Sequence, residues 1–137
     1  MKYSSSCQCA KVEVVLSLPH SIERLEPRKC DCDFCKSHEL IYLSEPGGEL
    51  SIEAHGALKQ LKQGSEQATF WQCKSCNQIV AVTIALDGQI KGAVNGNLFT
   101  KNWLLKNSVI VSPKTLSPEK KRERWATAWL NVNFNAG

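Results

Sequence analysis

The sequence contains no long hydrophobic run. No stretch approaches the length needed to span a bilayer, and the start, Met1-Lys2-Tyr3-Ser4-Ser5-Ser6-Cys7, has one positive charge with no apolar segment behind it. Neither a secretory signal nor a lipoprotein anchor is expected, so the cytoplasm is the expected location. Internal repeats, low-complexity tracts and a linker are also missing, which excludes repeat arrays and favours a single domain over residues 1–137. Charge of one sign is scarce: 17 Lys and Arg against 13 Asp and Glu leave a net +4. The densest basic segment, Lys120-Lys121-Arg122-Glu123-Arg124, is not interleaved with aromatics. It reads as a solvated helix face rather than a base-stacking surface, and nucleic acid is not an expected partner.

What is present is the composition of a folded globular protein, 42% hydrophobic and 22% charged. Lys11 to Leu18 is β-branched, partly alternating and ends at Pro19, so it reads as a strand. Leu40 to Leu43 is a second candidate. After the turn residues Pro46-Gly47-Gly48, Leu50, Ile52 and Ala54 alternate with Ser51, Glu53 and His55, the pattern of a half-buried strand. Ala57 to Gln63 is ambiguous: Leu58 and Leu61 suit a helical spacing, but seven residues ending at Gly64 make a short helix, and a strand is the reading taken. Ile79 to Leu86, Asp87-Gly88 and Gln89 to Val94 read as a hairpin, which makes the middle of the chain a β-meander. The tail changes character. Ser117, Pro118 and Glu119 form a helix start, and Trp125, Ala128 and Trp129 fall on one face of a helix expected over about 117–131. The expected fold is mainly β, with a C-terminal helix docked on the sheet through its tryptophans.

The seven cysteines are clustered as Cys7-Gln8-Cys9, Cys30-Asp31-Cys32-Asp33-Phe34-Cys35 and Cys73-Lys74-Ser75-Cys76. Gaps of one or two residues let paired thiolates point at one metal from a tight turn, as tetrahedral zinc requires. Soft thiolates select zinc, copper(I) or iron–sulfur over hard ions. A closed structural site takes four thiolates and leaves three, the protein ligand number of a zinc site with one open position. The separate pairs Cys7/Cys9 and Cys73/Cys76 can combine into the four, and Cys30, Cys32 and Cys35 would then form the three. Other readings of the spacing are a single structural zinc with inert spare cysteines, an iron–sulfur cluster, or disulfides, which are rare in a reducing compartment. His38, three residues after Cys35, could close the second site as a Cys3His structural centre. His20 and His55 read as exposed polar residues.

The order of these clusters and the strands between them, over roughly residues 4 to 100, resemble the glutathione-dependent formaldehyde-activating enzyme family, which includes centromere protein V. Val94-Asn95-Gly96-Asn97-Leu98 also resembles the family's segment after the last hairpin strand. The resemblance implies twisted antiparallel sheets around a structural zinc held by Cys7, Cys9, Cys73 and Cys76. It also implies a second, reaction-site zinc on Cys30, Cys32 and Cys35, hence two ions per chain. The implied activity is that of a carbon–sulfur lyase joining glutathione and formaldehyde to, or releasing them from, S-(hydroxymethyl)glutathione, with glutathione or another small thiol as partner. A zinc-stabilised binding module without turnover is the alternative. Three thiolates outweigh a divalent ion's charge, so such a centre suits sulfur exchange better than water activation. Arg28, Lys29 and Lys36 flank the middle cluster and could meet carboxylates. The family usually has glycine after the cysteines matching Cys9 and Cys76; here Ala10 and Asn77 stand there, so the turn after Cys9 is expected to differ.

Overall fold

The computed structural model describes residues 1–30, 33–62, 68–86, 88–100, 102–111, 117, 119–120, 123 and 128–135. Among them run eleven strands: β1 (Lys2–Ser6), β2 (Glu13–Ser17), β3 (Arg28–Cys30), β4 (Tyr42–Leu43), β5 (Glu49–Glu53), β6 (Leu58–Lys62), β7 (Thr69–Cys73), β8 (Ile79–Leu86), β9 (Gln89–Asn95), β10 (Val109–Val111) and β11 (Leu130–Asn135). One short helix, α1 (Asp33–Ser37), follows β3. No helix among the described residues is long and apolar enough to cross a membrane.

The strands form one branched, mainly antiparallel sheet. Along one path the order is β1-β2-β5-β11-β9-β4-β3-β10, and a meander β6-β7-β8 joins at β9. β9 is the junction: β8 lies along one edge, while β11 at Gly92 and Lys91 and β4 at Val94 and Asn95 share the other. The alternation in β5 places Leu50 and Ile52 inside, and β2 matches it with Val14 and Leu16 opposite. β8, apolar but for Thr83, is buried from Ile79 to Ile84, as a strand covered on both faces must be.

The sheet is mixed rather than wholly antiparallel. β10 runs parallel to β3, with Val109 opposite Arg28, and β11 runs parallel to β5, with Val132 opposite Leu50. Both parallel strands come from beyond residue 100, and β11 overlaps the end of the helix expected from sequence over about 117–131. That expectation is corrected at its end, because Leu130 and Asn131 are already in β11. Leu130 and Val132 are buried in the main core while Asn131 and Asn133 alternate with them, a period of two that no helix accommodates. Glu119, Lys120, Glu123 and Ala128 have helical backbone; most of the expected helix, Trp125 included, lies outside the described residues. Trp129 is half-buried against the cluster of Phe70, Val82 and Ala93.

His55 does not continue β5. The strand ends at Glu53, and His55 turns with a left-handed φ of 47° before Gly56 at 79°. His20 is not simply exposed either: its Nε2 lies 3.0 Å from Glu45 and its Nδ1 lies 2.9 Å from the Ser21 carbonyl. Both partners accept, so only the doubly protonated ring satisfies both. The Ser21 carbonyl first, and Glu45 second, raise the imidazole above its ordinary 6.5. A raised folded-state value adds stability that is fully present below the unfolded value and lost as pH rises through the folded one. An NMR titration is expected to place the His20 midpoint above 6.5 and Glu45→Gln to lower it; a midpoint unmoved by that substitution would contradict the pairing.

Candidate metal centre

Two turns bring four sulfurs together. In the first, the chain leaves β1, Cys7 N–H donates to the Val12 carbonyl at 3.0 Å, and Ala10 N–H returns to the Cys7 carbonyl at 3.0 Å. In the second, at the end of β7, Cys73 N–H donates to the Gln78 carbonyl and Asn77 N–H to the Cys73 carbonyl, both at 2.9 Å. Gln78 ties them together, its side-chain oxygen accepting from Gln8 N–H at 2.9 Å. The sulfurs of Cys7, Cys9, Cys73 and Cys76 all lie within 4.8 Å of one another, with Cys7 to Cys9 at 3.6 Å and Cys9 to Cys73 at 3.5 Å. A thiolate tetrahedron with bonds of about 2.3 Å has edges of about 3.8 Å, so these sulfurs are spaced to fit a four-coordinate soft ion such as zinc.

The environment of the four is graded. Cys7 and Cys73 are buried in the main core, Cys76 is half-buried and Cys9 is exposed. Burial, opposed by the Val12 backbone hydrogen bond and reinforced by the other three thiols, pushes Cys7 up to about 12. At Cys76 burial acts in the same sense but is outweighed by backbone hydrogen bonds from Gln78 and Cys9 and by the Cys73 and Cys9 thiols, which hold it down at about 6. Cys76 is therefore readier than Cys7 to carry negative charge, and a metal ion binding this cluster as thiolates would displace protons.

The turn after Cys9 keeps a left-handed backbone although alanine stands there: φ is 64° at Ala10 and 63° at Asn77. Asparagine tolerates this region, whereas a Cβ on alanine costs about 1–2 kcal/mol there, partly offset in comparison with glycine by glycine's greater unfolded-state entropy. Ala10→Gly is expected to raise stability by about 0.5–1 kcal/mol in a urea titration of the metal-loaded protein. An unchanged or lower midpoint would contradict the strain.

The middle cysteines lie elsewhere. Cys30 ends β3 and Cys35 sits in α1; both are buried and both line a cavity of 430 Å³. Cys32 lies outside the described residues, as does Asp31. Lys29, Lys36, Glu39 and Asn97 also line the cavity, whereas Arg28, the third flanking cation, pairs with Tyr42 across β3 and β4. The end of α1 is fixed by Leu40 N–H donating to the Cys35 carbonyl and by Glu39 adopting φ 52°, its carbonyl held at 2.9 Å by Asn97 Nδ2. Asn97 is set in turn by Asn95, whose Oδ1 accepts from Asn97 N–H and whose Nδ2 donates to the Ile79 carbonyl. The Val94–Leu98 segment thus latches α1 to the junction strand β9. The ring of His38 packs on Phe34 at 4.6 Å, and His38 does not join Cys30 and Cys35 in a ligand group among the described residues.

Sequence reasoning missed Tyr42. Its hydroxyl lies 2.8 Å from Cys35 Sγ, a contact created by the pairing of β4 with β3 and invisible in residue spacing.

No family model matches the sequence, and no curated protein matches it. Among solved structures, the crystal structure of a Rhodobacter sphaeroides protein is similar, with a TM-score of 0.62 and 19% identity over 80% of this chain and 100% of that one. At that identity the likeness shows a shared fold and nothing about activity.

Proposed function

We propose that this chain is a zinc-dependent enzyme of carbon–sulfur lyase type acting on glutathione adducts such as S-(hydroxymethyl)glutathione, or on a related small thiol, as the formaldehyde-activating family does. The observation that carries the reading is the cavity with Cys30 and Cys35 in its wall, apart from the four-cysteine cluster. Its 430 Å³ falls in the range of small-molecule sites. Cys7, Cys9, Cys73 and Cys76 would hold a structural zinc, and Cys30, Cys32 and Cys35 a second, two ions per chain. The packing of His38 on Phe34 favours an open second site over a closed Cys3His centre.

An ion held by the second set supplies a position where a substrate sulfur is stabilised as thiolate. The chain's own groups do the rest. Lys29 and Lys36 present ammonium groups suited to substrate carboxylates, and Glu39 a carboxylate suited to an amine. Leu40 and Ile41 give the wall an apolar portion that limits water. In the forward direction the substrate sulfur bonds to the formaldehyde carbon and the thiol proton ends on the former carbonyl oxygen; the reverse restores both molecules. This chemistry belongs to a reducing compartment, the cytoplasm, where glutathione and free thiols coexist.

The test is NMR exchange between free glutathione, formaldehyde and the adduct beside the purified zinc form. Faster exchange, abolished by Cys32→Ser, is the expected result. If the adduct neither binds nor exchanges faster, the enzyme reading falls and a zinc-stabilised binding module stands.

A further inference from the structure

Cys35 is 2% exposed, yet it lines the cavity. As one of three thiolates on a divalent ion it would belong to a centre with net negative charge, and a buried charge of that kind requires hydrogen-bond donors. Tyr42 stands where one is needed. Its hydroxyl is 2.8 Å from Cys35 Sγ, closer than oxygen and sulfur approach without a hydrogen bond. The position is not accidental to a mobile side chain: Tyr42 is paired to Arg28 on one side and Asn95 on the other, and its ring packs against the apolar cluster that contains Cys30, Cys35 and Phe70.

We propose that Tyr42 is a positioning residue of the second site, donating its hydroxyl hydrogen to Cys35 Sγ and holding that sulfur as a metal ligand on the cavity wall. This rests on the reading that Cys30, Cys32 and Cys35 bind a metal. The hydroxyl touches neither substrate nor reacting carbon; it acts through the sulfur. By drawing electron density from that sulfur it stabilises a ligand set too negative for its burial, and it lowers the energy of the sulfur lone pairs that donate to the metal.

Cobalt(II) titration of the metal-stripped full chain tests this, because sulfur-to-cobalt charge-transfer absorption reports the electron density on each thiolate. The wild type is expected to take up two equivalents. In Tyr42→Phe the second uptake should weaken about tenfold and its band should move to lower energy, with the first uptake unchanged. A merely structural role for the ring would leave the band where it is. A Tyr42→Phe protein with wild-type second affinity and band overturns the proposal alone, whereas a wild type that takes only one equivalent overturns the two-site reading and this proposal with it. Should Tyr42→Phe lose even the first uptake, replacing both tyrosines with 3-fluorotyrosine, a stronger donor, decides. The other tyrosine, Tyr3, has its hydroxyl at Ile22 N–H and Met1 Sδ, away from either cluster. A second-site band moved to higher energy supports the proposal, and an unmoved band overturns it.

Discussion

Cys73→Ser is expected to give a chain that does not fold, while Cys32→Ser stays folded. Cys73 is fully buried in the main core at the end of β7, and its sulfur lies 3.5 Å from that of Cys9, 64 residues earlier in the sequence. An ion bound by this cluster ties the chain start to the meander. Such sites supply folding free energy on the order of 10 kcal/mol in small metallodomains, as much as the whole stability of a typical domain, about 5–15 kcal/mol. A buried serine hydroxyl in place of the thiolate would lose that and leave a poorer ligand. Cys30 and Cys35 line a cavity and come from β3 and the adjacent α1, so a metal held there would not join the chain start to the meander, and emptying it is expected to remove chemistry and leave the sheet. Thermal melts of the two purified variants check this, with Cys73→Ser insoluble or without a cooperative transition. Equal melting would contradict the division of labour between the clusters.

Gly92→Ala is expected to cost about 2–3 kcal/mol. Gly92 sits on β9 where β8 and β11 both pair with it. A Cβ there would lie 2.5 Å from the Val82 carbonyl oxygen, 2.9 Å from Val132 Cγ2 and 3.0 Å from Thr83 Cγ2. Backbone and β-branched side chains crowd the space, so neither neighbour yields cheaply and the strands must separate. Gly47→Ala is the control, because its Cβ would meet only Pro19 Cγ at 3.7 Å, an ordinary contact. Urea midpoints of the two variants should differ by most of the stated energy; a Gly92→Ala midpoint equal to the control would mean that β11 does not sit against β9 as described.

The parts of this fold that could be read in advance are those whose cause is local. The β8–β9 hairpin follows from two apolar runs around a turn whose Gly88 has φ 80°. β5 shows its buried face in Leu50 and Ile52 because one side faces core. The cysteine turns are legible because two thiolates must reach one ion within a few residues. β1 was not legible: Lys2-Tyr3-Ser4-Ser5-Ser6 has one apolar side chain, and that one, Tyr3, is buried while its neighbours are held by pairing with β2. β11 does alternate, Leu130, Val132 and Phe134 against asparagines, but helix formers just upstream mask the change of period. Its place, parallel to β5 about 80 residues away in sequence and antiparallel to β9 about 40 away, is set by long-range contacts. Tyr42 beside Cys35 belongs to the same class, since it depends on which strand β4 joins and not on what surrounds Tyr42 in the chain.

Zinc per chain, measured by elemental analysis on protein purified without a metal-chelating tag and again after brief treatment with excess glutathione, tests the two-site account most directly. Two zincs falling to one are expected, the closed cluster of Cys7, Cys9, Cys73 and Cys76 keeping its ion while the cavity site exchanges with thiol. A single zinc that glutathione does not remove would contradict it, leaving a structural centre and no metal at Cys30, Cys32 and Cys35.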